Sequence, residues 1–260
     1  MFISIIITTY NRKEKIVSSI NSSIEWSKRF NDITHEIIVI DDASTDGTFE
    51  KLRNHKYFKN KIKLFKLEKN IGVSGAKNYG AKKSTGKWIT FLDSDDTLIY
   101  EKATEVIETL IKFKNSHIIF FRCQDKHNFS LIGPYIKKIK EISYSHFIEF
   151  GTQGECLPFL KREIFLKYPY DQDLRGCEGI SYARMLKYGS KVFISPLIVR
   201  NYDQSENDLR LSTRKNSLKR GRNLMNGHIR MLKEFYQVMT LSTIFGKFLR
   251  IIYYFFMSKD

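Results

Sequence analysis

Cysteine and proline are scarce in this chain of 260 residues, which has 3 cysteines and 4 prolines. An odd number of cysteines without a C-x-x-C spacing excludes a disulfide scaffold and indicates a reduced, cytosolic protein. The low proline count and the 14 glycines argue against a linker-rich or fibrous chain. The six histidines are scattered, without an H-E-x-x-H motif or a Cys/His cluster, so we expect no zinc site.

The chain also lacks a hydrophobic run that is long enough to cross a membrane. Its longest run, residues 241–257, has 17 residues and contains Lys247 and Arg250, whereas a spanning helix needs about 20 mostly uncharged residues. The N-terminal run, residues 2–8, has no basic region before it, so it predicts a strand and not a signal peptide. We therefore expect a cytoplasmic protein.

Acidic residues are outnumbered, because 28 Asp and Glu stand against 44 Lys and Arg and give a net charge of +16. This excess indicates a polyanionic partner, and nucleic acid, an anionic membrane surface and a phosphorylated small molecule all qualify. Apolar residues make up 42% of the chain, which excludes disorder. The length predicts one large domain, or a domain with an appendage.

The first 122 residues alternate between β-branched apolar runs and amphipathic stretches. Runs without polar alternation predict strands buried on both faces, as in a mostly parallel α/β sheet flanked by helices. The predicted strands are 2–8, 35–40, 61–67, 87–92 and 117–122, and the predicted helices are 12–26, 46–55, 74–84 and 100–114. Further along, we predict helices near 144–150, 162–168 and 178–188, and strands near 191–195 and 197–202.

Polar residues follow four of the predicted strands, in the segments 8–12 (TTYNR), 41–44 (DDAS), 68–72 (EKNIG) and 93–96 (DSDD). In a parallel sheet these strand ends meet at one edge, where ligands bind. Helix capping explains a single Asp or Asn at such a position. It does not explain two carboxylate clusters at neighbouring strand ends, because like charges repel without a counter-ion.

The triplet Asp93-Ser94-Asp95 places two carboxylates one residue apart after a buried strand. This spacing suits a hard divalent ion such as Mg²⁺ or Mn²⁺, which leaves positions open for phosphate oxygens. The chain has neither a Walker A loop nor a G-x-G-x-x-G motif. We therefore expect the metal ion and basic side chains to neutralise a bound phosphate.

In their order and spacing, these motifs resemble those of the inverting nucleotide-sugar glycosyltransferases of family 2, which have the GT-A fold. The likeness rests on strand-TTYNR, strand-DDASTDGT, N-x-G-x-S-x-A-x-N from Asn70 to Asn78, strand-DSDD and a later acidic helix start, and it covers residues 2–212. It implies a GT-A domain, with a Rossmann-like sheet, over residues 1–212. Residues 1–122 would form its nucleotide-sugar half and 123–212 its acceptor half, followed by a basic helical tail, 213–260.

The resemblance also implies roles for single positions. Tyr10 would stack on a uracil base that Asp42 also contacts, and Asp95 would hold the Mn²⁺ or Mg²⁺ ion, which Asp203 could join. The remaining positions for the nucleotide-sugar are Thr8, Asn70, Lys77, Asn78 and Asp93, with Arg200 or Arg210 at the diphosphate. For both arginines and Asp203, an ordinary surface charge is the alternative.

The catalytic base of the family is the Asp of a Glu-Asp pair, six residues before an Arg and eleven before a Gly. Glu178 has this spacing to Arg184 and Gly189, so the resemblance implies that Glu178 is the base. Asp173 is the alternative base, and a carboxylate favoured by a helix N-terminus is the structural alternative for Glu178. The base would deprotonate an acceptor sugar hydroxyl for one in-line displacement with inversion.

Residues 213–260 contain ten Lys and Arg against two acidic residues, a net charge of +8. Within them, Thr243, Lys247, Arg250 and Tyr254 form one polar stripe on an otherwise apolar helix, a pattern typical of helices in a membrane interface. A basic cluster at 214–222 favours anionic lipid. We predict peripheral binding to the inner face of the cell membrane and a lipid-linked saccharide acceptor, as in surface polysaccharide synthesis. Packing on the catalytic domain, or on a second copy in a homodimer, is the alternative.

Two other functions remain open from the sequence. A nucleic-acid-binding protein would explain the charge and the 14% aromatic content, although no homeodomain, zinc-finger or RNP pattern is present. A nucleotidyltransferase on a related α/β sheet would share the acidic pair. That class has a Gly-rich basic loop after its first strand, where this chain has TTYNR.

Overall fold

The computed structural model describes residues 2–30, 33–55, 58–205 and 220–257. Its strands are β1 (Ile3–Thr9), β2 (His35–Asp41), β3 (Lys63–Lys66), β4 (Trp88–Asp93), β5 (Thr97–Leu98), β6 (Ile118–Asp125), β7 (Lys140–Glu141), β8 (Cys156–Lys161) and β9 (Val192–Tyr202). Its helices are α1 (Ile16–Ser27), α2 (Thr48–Asn54), α3 (Gly72–Lys83), α4 (Ala103–Lys112), α5 (Tyr144–Phe150), α6 (Arg162–Lys167), α7 (Gly179–Lys187), α8 (Gly221–Phe235) and α9 (Leu241–Met257). Short 3₁₀ turns cover Tyr100–Lys102 and Tyr236–Val238.

The strands form one mixed sheet in the order β3-β2-β1-β4-β8-β6-β9-β5, and β7 pairs with β9. The first four strands in this order are parallel, as predicted for the N-terminal half. In the other half only β6 and β9 are parallel, because β8 runs antiparallel to both β4 and β6, and β5 and β7 run antiparallel to β9. The predicted parallel arrangement therefore holds for β1 to β4, whereas β6 pairs antiparallel with β8 and parallel with β9.

Two hydrophobic cores lie on opposite faces of the sheet. Ile5 and Ile7 of β1 pack in one core with α1 and α4, whereas Ile6 packs in the other core with α3 and α7. Successive side chains of a strand point to opposite faces, so a strand covered on both sides is apolar at most positions of both faces. This is the physical reason for the unbroken apolar runs of β1, β2 and β4.

The helical tail is part of this packing. Phe235, the last residue of α8, is buried in the second core. The predicted domain boundary at 212/213 falls outside the described residues and stays a prediction. None of the helices described here combines the length and the apolar character that a membrane-spanning helix requires.

The parallel register sets the position of the motifs. Thr8 of β1 is level with Asp93 of β4, and Thr9 is level with Asp41 of β2. The segments that follow β1, β2 and β4 therefore start side by side at one edge of the sheet, where the sequence predicts a ligand site.

Candidate functional site

Asp93 and Lys77 form an ion pair at this edge. The Nζ atom of Lys77, on α3, lies 2.9 Å from Oδ1 of Asp93, the last residue of β4. Burial is the largest single effect and opposes the charge of both groups, but their attraction, together with that of other nearby charges, outweighs it, so the pKa of Lys77 is raised and that of Asp93 is lowered. Both groups are therefore charged at neutral pH.

Among the described residues, no cation lies as close to Asp95 as Lys77 does to Asp93. Its nearest ion-pair partner among the described residues is Arg12, with Nη2 3.5 Å from Oδ2. Burial, with the charge of Asp93 adding to it, raises the pKa of Asp95 in spite of Arg12. A carboxylate in this state gains from an added cation, and its oxygens suit Mg²⁺ or Mn²⁺. In the described ranges, however, no three His, Cys, Asp or Glu side chains come together closely enough to hold a metal ion.

Asp203 lies beside the acidic segment but already has partners. Its backbone NH donates to Oδ1 of Asp96 at 2.9 Å, and its carboxylate accepts from Lys15 at 3.1 Å and from Ser205. The Nε2 atom of His127 lies 3.4 Å from Oδ1. Burial raises the pKa of Asp203, but these partners outweigh burial and lower it. Asp203 could bind a metal ion only by exchanging them.

Arg200 is engaged inside the protein. Its guanidinium lies 3.3 Å from Asp96 and 2.7 Å from Glu155, and its Nε contacts the Cys123 sulfur at 3.2 Å. The side chain is buried, so Arg200 would have to leave these partners to reach a diphosphate. Arg210 lies outside the described residues.

The predicted base pocket contains one buried acid and one exposed ring. Thr8 and Asp42 are buried, whereas Tyr10 is 44% exposed and so available for stacking. Asp42 accepts a hydrogen bond from the backbone NH of Ile71 at 2.8 Å, and burial raises its pKa. Asn70 accepts from the backbone NH of Gly72 at 3.1 Å and fixes the turn into α3.

Asn78 joins the two halves of the protein. Its side-chain amide donates to the carbonyl of Tyr170 at 2.8 Å, and its oxygen accepts from the NH of Tyr170 at 3.1 Å. These two bonds fix the start of the segment that runs from Tyr170 to α7, which includes both candidate bases. Asn78 therefore acts in the protein structure, whatever its role toward a ligand.

The two candidate bases differ in their surroundings. Glu178 directly precedes α7, and its side chain has no hydrogen bond or ion pair with any residue that the structure describes. Its charge raises the pKa of the buried Lys77, after that of Asp93. Asp173 is exposed, and Arg230 binds both of its oxygens at 3.2 and 2.8 Å, which lowers its pKa. Among the described residues, the candidate base that has no partner and whose charge acts on Lys77 is thus Glu178.

Sequence reasoning missed four side chains of this region. Arg12, Lys15 and His127 contact the acidic residues, and the charges of both Asp42 and Glu178 act on Arg175. Arg12 was within reach of the sequence, because it ends the TTYNR motif. The others come from segments without a motif, and only the tertiary structure brings them to the site.

Comparison with known sequences finds a family model that matches this chain. Residues 4–166 match the sequence model described as Glycosyl transferase family 2. The Campylobacter jejuni protein named GalNAc(5)-diNAcBac-PP-undecaprenol beta-1,3-glucosyltransferase is 30% identical over 196 residues, which cover 71% of this chain and 60% of that protein. The chain thus spans less than two thirds of the length of this curated relative.

Solved structures share the fold. Staphylococcus aureus TarS 1–349 in complex with UDP-GlcNAc superposes with a TM-score of 0.69 at 16% identity, covering 99% of this chain and 72% of that one. The mannosyltransferase PcManGT from Pyrobaculum calidifontis, in complex with GDP-Man and Mn²⁺, gives 0.62 at 16% identity, covering 97% and 69%. These similarities confirm the predicted GT-A fold.

Proposed function

This chain belongs to glycosyl transferase family 2, and from that membership we propose that it is a metal-dependent, inverting enzyme that moves a sugar from a UDP-sugar to a saccharide acceptor. Family membership identifies the chain as a glycosyltransferase. It therefore argues against the nucleic-acid-binding protein and the nucleotidyltransferase that the sequence left open. The observation that carries the finer proposal is the free carboxylate of Glu178 near the Lys77–Asp93 ion pair, with the under-neutralised Asp95 beside it.

The donor would lie along the edge formed by β1, β2 and β4. Tyr10, Thr8 and Asp42 would bind the uracil, because an exposed ring next to a buried carboxylate offers both stacking and a hydrogen-bond acceptor. Lys77 and Asp93, with Asn70 nearby, would bind the ribose and diphosphate. The complexes of TarS with UDP-GlcNAc and of PcManGT with GDP-Man show that this fold binds nucleotide-sugars, and UDP is the nucleotide that the proposal tests first.

Asp95 would hold the divalent ion, with Asp203 as a second ligand once Lys15 has moved. The residues fit such an ion because Asp95 is an oxygen donor whose charge is poorly compensated. With few protein ligands in reach, most of the coordination would come from phosphate oxygens. When bound, Mn²⁺ or Mg²⁺ offsets the negative charge that develops on the leaving diphosphate.

Glu178 would act as the general base. Its carboxylate takes the proton of an acceptor hydroxyl, and that oxygen forms a bond to the anomeric carbon from the face opposite the nucleotide. The bond from the same carbon to the diphosphate breaks, and UDP leaves with the electron pair. A single in-line displacement inverts the anomeric configuration.

The acceptor would be a saccharide on a lipid carrier, at the inner face of the cell membrane, in surface polysaccharide synthesis such as that of an O-antigen or a capsule. The name of the C. jejuni relative supports this, because it specifies a saccharide on PP-undecaprenol. The basic excess of the chain agrees with an anionic surface.

Calorimetric titration of UDP into the full chain, with and without Mn²⁺, tests the proposal. We expect binding that requires the metal, is lost in Asp95→Ala and is retained in Glu178→Gln. Asp173→Asn serves as the control, because it removes a carboxylate of the same segment that is already paired with Arg230. Metal-independent UDP binding would overturn the proposed metal dependence, and no binding of any nucleoside diphosphate would overturn the donor site.

A further inference from the structure

Helix α9 turns an apolar face to the solvent. Its large side chains on one side are between 51% and 84% exposed, and they are Leu241, Phe245, Phe248, Leu249, Ile252 and Phe256. Their spacing of three, four or seven residues along the helix places them on one continuous surface, here called the outer face of α9. Monomeric soluble proteins rarely expose so large a contiguous apolar patch, and such patches mark interaction sites.

The polar stripe of the same helix faces the protein. Thr243 donates a hydrogen bond to Glu149, which also accepts from the backbone NH of Thr240 at 2.7 Å. The ring of Tyr254 stacks on that of His228 in α8, with centroids 6.0 Å apart. Burial lowers the pKa of Lys247, with the charge of Arg250 adding to this effect. The polar groups thus hold α9 on the protein and leave its apolar side outward.

This surface is firmly attached to the segment that carries the candidate base. Arg184 of α7 binds Asp171 at 2.8 Å and Glu234 of α8 at 2.7 Å. Phe235 is buried in the second core, and Arg230 of α8 also contacts Asp171 at 3.1 Å. Because α8 connects α9 to this network, the outer face has a defined orientation relative to Glu178.

The charge around the outer face selects its partner. Arg222 and Lys233 are exposed on α8, whereas the acidic Glu234 is already bound to Arg184. Residues 213–260 have a net charge of +8. A second copy would bring the same positive charge to the interface. An anionic bilayer offers both an apolar layer and negative headgroups, so it matches both features.

We propose that the outer face of α9 inserts into the boundary between the headgroups and acyl chains of an anionic membrane, with Arg222 and Lys233 of α8 at the headgroups. The biological role of this contact, which is to keep the enzyme close to a lipid-linked acceptor, rests on the proposed function. The contact itself depends only on the surface of α8 and α9.

Sedimentation of the full chain with vesicles tests this surface. We expect it to pellet with vesicles of phosphatidylcholine and phosphatidylglycerol, and much less with phosphatidylcholine alone. Phe245→Ser with Ile252→Ser should lower the partition by about tenfold or more, since two large apolar side chains no longer leave water. Tyr135→Ser, which removes an exposed aromatic residue far from α9 in sequence, should leave partition unchanged.

Charge substitution gives a second, independent variant. Arg222→Gln and Lys233→Gln together should weaken binding to the anionic vesicles, and added salt should weaken binding of the unmodified chain. Circular dichroism and UDP calorimetry on the same samples should be unchanged, which separates this proposal from the donor site. UDP binding without vesicle binding would overturn the membrane contact alone.

Sedimentation velocity without lipid distinguishes a protein partner. If the chain ignores anionic vesicles and instead forms a dimer that Phe245→Ser with Ile252→Ser dissociates, the outer face is an interface between copies and the membrane proposal is wrong. A monomer that binds vesicles supports it.

Discussion

The ammonium group of Lys77 lies 2.9 Å from the carboxylate of Asp93, and this ion pair joins α3 to the end of β4 at the centre of the candidate site. Each group favours the charged form of the other, as the raised pKa of Lys77 and the lowered pKa of Asp93 indicate. A diphosphate that binds here would compete with Asp93 for the lysine. The pair contributes to stability and, under the proposed function, would also contribute to donor binding.

Removing the lysine charge should affect both properties. Lys77→Met leaves Asp93 without its nearest cation, and we expect the free energy of unfolding at pH 7 to fall by about 2 kcal/mol. UDP affinity should fall as well. Urea denaturation and calorimetry measure the two effects. Lys82→Met, on the exposed side of the same helix, should change stability by less than about 0.5 kcal/mol. Equal effects of the two substitutions would contradict the role of this pair.

If Glu178 is the base, its substitution should lower turnover without changing the affinity for UDP. Glu178→Gln should reduce turnover by roughly 10²–10⁴-fold, because the acceptor hydroxyl loses its proton acceptor. UDP affinity should stay near that of the unmodified enzyme. Asp173→Asn should retain most activity, since Asp173 is exposed and bound to Arg230. Turnover with a saccharide acceptor and calorimetry distinguish the two, and the reverse pattern would make Asp173 the base.

The buried, hydrogen-bonded carboxylate of Glu36 leads us to predict that the fold loses stability in acid. Burial raises its pKa, but hydrogen bonds from Lys63, Ser4 and Thr85 outweigh burial and lower the pKa from 4.5 to about 2. Because the folded state has the lower pKa, this stabilisation is present above pH 4.5 and is lost as the pH falls from 4.5 through 2. Glu36→Gln should cost about 3 kcal/mol at pH 7 and progressively less below pH 4.5.

Denaturant titrations at pH 7 and at pH 3 measure this difference. Glu108→Gln, at an exposed position of α4, is the control, and its small effect should not depend on pH. A constant cost of Glu36→Gln across this range would show that its charge is unimportant.

We predict that replacing Lys161 by an apolar residue increases the stability of the fold. Lys161 is 4% exposed, its Nζ has no hydrogen-bond acceptor among the described residues, and the atom lies 3.9 Å from the centre of the Trp88 ring. Burial, and then the charge of Lys87, lower the pKa of Lys161 to about 8. The folded state thus binds the proton less well than the unfolded state. The resulting cost appears as the pH falls from 10.5 through 8 and is fully present at pH 7.

Lys161→Met should therefore increase the free energy of unfolding at pH 7 by about 1–3 kcal/mol, and by less near pH 10. Lys112→Met, at an exposed position, should have little effect. Thermal and urea denaturation test the difference. A loss of stability at pH 7 would mean that the contact with Trp88 outweighs the cost of burial.

The sequence was sufficient to predict most strands of the N-terminal part of the fold. Unbroken apolar runs identify strands covered on both faces, and they correctly predicted β1, β2, β4 and β6 to within a few residues. The prediction missed β8, because Cys156–Lys161 is short and contains Pro158, which lacks a backbone NH. Its partners β4 and β6 supply the pairing, and that information is tertiary. The strands expected at 191–195 and 197–202 form one strand, β9, which continues through Pro196.

The candidate site was predictable where motifs mark it. The strand ends place Thr8, Asp42 and Asp93 at one edge, as the sequence indicated. The sequence could not reveal that the buried Arg200 forms ion pairs with Asp96 and Glu155. Nor could it reveal that Lys15 forms an ion pair with Asp203. Helical periodicity likewise grouped Thr243 and Lys247 on one face of α9, but it could not tell which face turns toward the protein.

The position of β8 has a consequence for synthesis on the ribosome. β4 pairs with β1 on one side and with β8 on the other, yet β8 begins only at Cys156. A nascent chain that ends before this point has every strand of the parallel half but leaves β4 as an open edge. Unpaired apolar edges promote association between chains. We therefore expect fragments that stop before Cys156 to aggregate, although they include every motif of the donor site.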